Sequence, residues 1–114
     1  LGHHPTASRD PHGGTFPPRA LESALRVDPP LLYASGHGHG LQVLTAPAPR
    51  NLLVIGGGSF ENGASIAWKD DTRFATAAAG FMRVDLEEDG SGRILVFTVE
   101  ADGTAREVWQ GPLD

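Results

Sequence analysis

The chain has 114 residues with 39% hydrophobic content, enough for one domain with a modest core and too much for a disordered or fibrous sequence. Fourteen Asp and Glu against nine Lys and Arg give a net charge of -5 with no basic cluster, which argues against nucleic acid as a general partner. No cysteine is present, so disulfides, thiolate metal sites and cysteine nucleophiles are excluded, and no apolar run approaches the ~20 residues that span a bilayer.

In chain order, Leu1-Gly2 reads as the tail of a strand. The lack of an initiator methionine, with Met82 the single Met, makes a piece of a longer protein the expectation. Residues 6–18, "TASRDPHGGTFPP", are crowded with Pro, Gly, Ser and Asp, which break both helix and strand, and read as a loop. "RALESALRV" places Ala20, Leu21, Ala24, Leu25 and Val27 near one helical stripe behind Pro17-Pro18, and Asp28-Pro29-Pro30 stops it. "LLYAS" (31–35) is short, apolar and bounded by Pro and Gly, as a buried strand is.

A β-rich stretch follows, with strands expected at 41–46, 51–57, 63–69, 80–88, 93–100 and 105–110. Asp89-Gly90 and Asp102-Gly103 supply the positive backbone angles that tight hairpins between the last three strands require. "RILVFTVE" is apolar on both faces, which calls for cover on both sides, as in stacked sheets. The element order therefore predicts an α/β layered arrangement, with a helix on one side, sheet packed on sheet, and a carboxyl-terminal portion rich in antiparallel strands.

All five histidines, His3, His4, His12, His37 and His39, fall in the first 39 residues, at predicted strand ends or in the loop beside one. If strand 31–35 pairs in parallel with the strand ending at Gly2, a right-handed crossover through the helix puts both carboxyl ends on one edge, where ligands of α/β sheets gather. His3 and His37 then converge. Imidazole offers a lone pair to a metal or exchanges a proton near neutral pH, so such a pair suggests a metal or acid/base site, against the plainer reading of a polar glycine-rich turn.

"GHGHGLQ" (36–42) resembles the G-H-x-H element of calcineurin-like metallophosphoesterases, in particular the purple acid phosphatase branch, and "LGHHP" (1–5) resembles that family's V-x-x-H element. The resemblance extends to about residue 100, through "LLVIGGGSFENG" and "GFMRVDLEEDG", although the specific motifs lie in the first 42 positions. The family's D-x-G, G-D-x-x-Y and G-N-H-D/E elements are absent. The resemblance implies the carboxyl-terminal half of a layered α/β/β/α sandwich, occupying residues 1–114.

It further implies hydrolysis of a small-molecule phosphate ester at a dinuclear centre of iron, manganese or zinc. His3 and His37 would ligate one ion and His39 the other, while His12 would bind phosphate or protonate the leaving oxygen. His4 takes a supporting or packing place. The carboxylate that would bridge the ions is not encoded here, so the isolated chain is expected to have no turnover and to bind divalent metal only weakly. Rival readings are a non-catalytic relative that binds metal or phosphate, and a small β-rich interaction module. Gly56-Gly57-Gly58-Ser59 lacks the following Gly-Lys-Ser/Thr of a phosphate loop, the turn acids Asp70, Asp71, Glu87, Glu88 and Asp89 read as solvated, and Trp68 and Trp109 read as core or sheet-face residues.

Overall fold

A computed structural model describes residues 1–9, 19–45, 52–55 and 66–113. The elements are α1 (Arg19–Val27), β1 (Leu32–Ser35), β2 (Leu41–Thr45), β3 (Leu52–Ile55), β4 (Thr72–Thr76), β5 (Gly80–Leu86), β6 (Gly92–Val99) and β7 (Ala105–Pro112). They form a four-stranded sheet in the order β1-β3-β2-β4 and a three-stranded sheet in the order β5-β6-β7. The described residues are thus β-rich with one short helix and largely antiparallel sheets, compatible with a portion of an α/β fold.

The second sheet is an antiparallel meander closed by two tight turns. Gly90 and Gly103 take φ of 86° and 84°, a left-handed conformation that glycine adopts without Cβ strain. Asp89 and Asp102 accept hydrogen bonds from the backbone N–H two residues on, each at 2.9 Å, which pins both turns. In the first sheet β1 pairs in parallel with β3, and β2 runs antiparallel to both β3 and β4.

Period-two alternation sorts the two faces of the first sheet. Leu41 and Val43 of β2 face Ile94 and Val96 of β6 in the main core, with Leu32, Ala34, Phe74, Met82 and Trp109 packed around them. On the other face Leu44 and Tyr33 form a second cluster covered by Leu21 and Leu25 of α1. The helix stripe is narrower than the sequence predicts, for Ala20 and Ala24 are exposed and Val27 is 86% exposed. Arg73 on β4 joins the sheets a second way: its Nη1 donates to the Pro112 carbonyl at 3.0 Å and its guanidinium lies 5.7 Å from the centre of the Trp109 ring.

Two strand expectations differ from the structure. Residues 66–69 lie in no strand, and β4 begins instead at Thr72, after a turn in which Thr72 N–H donates to the Lys69 carbonyl. The remainder of the expected strand, residues 63–65, lies outside the described residues. Among the strands whose burial is described, β2 is buried on both faces over its first four residues, whereas β6 is buried only at Ile94, Leu95 and Val96.

Candidate metal site

Gly2 makes an isolated parallel bridge with Ser35, its N–H donating to the Ala34 carbonyl at 2.9 Å. The pairing expected between the chain start and strand 31–35 is therefore present, and it sets the residues that follow both, His3 and His37, side by side. Their ring centroids are 5.3 Å apart. His4 joins them, 4.8 Å from His3 and 4.5 Å from His37.

One ligand atom from each of these three imidazoles can be chosen so that all lie within 4.8 Å of one another. A tetrahedral ion with metal–nitrogen bonds of ~2.0–2.1 Å needs its nitrogens ~3.3 Å apart, so modest side-chain rotation closes the group on a single ion. His3 is exposed and His37 half-buried, which leaves the group open to an entering ion. By donor type and spacing, three residues fit a divalent transition metal.

The backbone at His37 is unusual. His37 has φ of 64°, and the Gly38 N–H donates to the Gly36 carbonyl at 2.8 Å across it. That bond around a positive φ makes a γ-turn of the rarer, strained kind. Glycines stand on both sides, yet the strained position itself carries the imidazole. A residue held in a costly conformation where glycine would be free of strain points to a role for its side chain.

The segment carrying His3 and His4 is strapped across the first sheet. The Tyr33 hydroxyl donates to the His4 carbonyl at 3.0 Å. Fully buried Gln42 accepts from the Arg9 N–H at 2.7 Å through Oε1 and donates from Nε2 to Ser8 Oγ at 3.2 Å. Arg9 pairs with Asp71, whose carbonyl accepts from the Thr45 N–H at 2.8 Å. Asp71 is therefore a structural anion, not the solvated turn residue expected. Trp68, also read as a strand residue, is 60% exposed outside any strand and lines an open cleft with Arg9, Lys69, Asp70 and Asp71.

Of the residues singled out in the sequence, His3 and His37 meet, His4 enters their group, and exposed His39 is not part of it. His12 lies outside the described residues, as do the glycines at 56–58. The sequence reading missed Tyr33 and Gln42. Each carries a signal in hindsight, a polar group in a strand otherwise made of apolar or small residues, which on burial must find a hydrogen-bond partner.

Among the described residues these features define two packed sheets, one helix and a three-histidine group at the carboxyl edge of a parallel strand pair. Among solved structures the chain is similar to GAP50, the anchor in the inner membrane complex of Plasmodium, with a TM-score of 0.71 and 20% sequence identity. The match covers 97% of this chain and 34% of that one, so the chain spans about a third of its length. At this identity the likeness is one of fold. No known family profile and no curated protein matches the chain. The assignment to the metallophosphoesterase family is accordingly corrected: no family profile supports it, and the similar structure is described as an anchor. The physical reason is that "LGHHP" and "GHGHGLQ" encode a local arrangement, histidines after two adjoining strand ends, and such short elements do not by themselves define a family.

No helix among the described residues is long and apolar enough to cross a membrane.

Proposed function

We propose that His3, His4 and His37 hold a divalent metal ion, and that in the complete protein this ion serves the hydrolysis of a small-molecule phosphate ester. The observation that carries the reading is the meeting of three imidazoles, with one ligand atom of each within 4.8 Å of the others, beside a strained turn whose central residue is one of them. Iron, manganese and zinc all accept imidazole, and three protein ligands with a further position open is the ligand count of a catalytic centre. When bound, the ion supplies a Lewis acid for a phosphoryl oxygen and acidifies water. This chain's own residues orient the ion at the sheet edge, His39 serves a second ion, and His12 contacts phosphate or protonates the leaving oxygen. The reading includes a larger layered α/β/β/α sandwich, which gains support from α1 covering one face of the first sheet while the second sheet packs on the other.

A second reading, binding of metal or phosphorylated ligand without turnover, is favoured by the likeness to a protein described as an anchor. The test loads the complete protein with manganese, zinc or iron and assays aryl and alkyl phosphates. Chelator-sensitive turnover that His37→Ala removes supports hydrolysis. Metal binding without turnover selects the second reading; failure to bind metal overturns hydrolysis, and failure to bind inorganic phosphate as well overturns both. The isolated 114-residue chain is expected to show no turnover.

A further inference from the structure

We propose that Tyr33 is a positioning residue for the histidine group, its phenol holding the His4 peptide so that His3 and His4 stand against His37. The proposal rests on the metal-site reading above for its purpose, while its geometry is independent of any ion.

Tyr33 is 6% exposed and wedged against Leu44 and the α1 residues Leu21 and Leu25, so its ring has little freedom. A buried phenol requires a partner for its O–H, and here the partner is the His4 carbonyl at 3.0 Å. To reach it the ring crosses Gly2 in close contact. A Cβ added at Gly2 would lie 1.9 Å from Tyr33 Oη and 2.8 Å from Cζ, so the absence of a side chain at position 2 is what admits the phenol.

The chain that bears His3 and His4 is thus held at two points of one strand. The Gly2 N–H is bonded to Ala34, and the His4 carbonyl to Tyr33. The same strand ends at Ser35 and runs directly into the γ-turn at His37. One short strand therefore leads into one histidine and holds both anchors of the other two. A ligand group whose backbone is anchored in this way keeps its donors converged without the ion, and outer partners of this sort typically govern metal affinity by ~10–100-fold.

The experiment uses the full chain and Tyr33→Phe, which keeps the ring in place and deletes only the hydroxyl. Two quantities are read: nuclear Overhauser contacts among the imidazole C–H protons of His3, His4 and His37 without metal, and zinc affinity by competition titration. The expected result is loss of the contacts from His3 and His4 to His37, zinc binding weakened by about 10-fold, and an amide spectrum otherwise unchanged over the two sheets. Native contacts and native affinity in Tyr33→Phe overturn the proposal. Should the chain bind no zinc, the metal reading fails, and the imidazole contacts still decide the role of Tyr33: their retention in the variant overturns it, their loss sustains it. Should Tyr33→Phe fail to fold, Gly2→Ala decides instead, because its Cβ displaces the phenol. It is expected to lose the same contacts, and keeping them overturns the proposal.

Discussion

Replacing His37 by glycine and, separately, by alanine distinguishes the two things that this position does. Both variants remove an imidazole, so both should lose zinc binding if His37 is one of three ligands. They differ in the turn. At φ of 64° a residue with a Cβ bears a left-handed cost of ~1–2 kcal/mol, which glycine does not. Glycine also loosens the unfolded chain relative to alanine, which offsets ~0.4–1 kcal/mol of that relief. The net expectation is that His37→Gly is more stable than His37→Ala by about 1 kcal/mol. For 114 residues, at ~2.1 cal/mol/K of unfolding entropy per residue, this corresponds to a thermal midpoint about 4 °C higher. The assay is a pair of thermal melts in chelator, with a zinc titration of each variant. A His37→Ala midpoint equal to or above that of His37→Gly would refute the strained turn. Native zinc affinity in either variant would refute the ligand assignment.

Three more outcomes follow from the structure. His39→Ala should leave zinc affinity of the three-histidine group unchanged, whereas His4→Ala should weaken it by at least about tenfold, as competition titration will show. Gly80→Ala should destabilise the chain by ~3 kcal/mol or more in urea melts, because its Cβ would stand 2.0 Å from the Phe97 carbonyl oxygen and 2.8 Å from Leu41 and so force β5 away from β6. Asp85 accepts from Arg83 at 2.8 and 3.0 Å and from Arg93 at 3.3 Å, and the Arg83 hydrogen bond above all holds its carboxyl below the ordinary 3.8. A depressed carboxyl stabilises the fold above the unfolded value and ceases to do so as pH falls through the folded one. Thermal midpoints of the native chain and Asp85→Asn should therefore differ at pH 5 and converge below 3.8; a gap that persists in acid would show that the ion pairs are not its source.

The elements that could be read from the sequence are those whose cause lies within a few residues. The turns at Asp89-Gly90 and Asp102-Gly103 follow from residues that tolerate positive φ, and β5, β6 and β7 follow from the apolar runs between them. Pro17-Pro18 and Asp28-Pro29-Pro30 delimit α1 in the same way. The meeting of His3 with His37 was also legible, through the handedness of a parallel crossover.

Tertiary structure alone decided the rest. The sequence order β1, β2, β3 becomes the spatial order β1, β3, β2, because β1 and β3 pair in parallel while β2 takes the position buried by α1 on one face and the second sheet on the other. No window of a few residues carries that choice. The same holds for the third histidine: His4 enters the group and His39 does not, although His39 is the one set beside His37 in sequence. That outcome depends on a contact across 29 positions, from the Tyr33 hydroxyl to the His4 carbonyl, and on the missing side chain at Gly2 that admits it. Local patterning specifies strands and turns because it acts through backbone angles and alternation. Which side chains share a site depends on register and close approach between distant segments, and these exist only once the chain has packed.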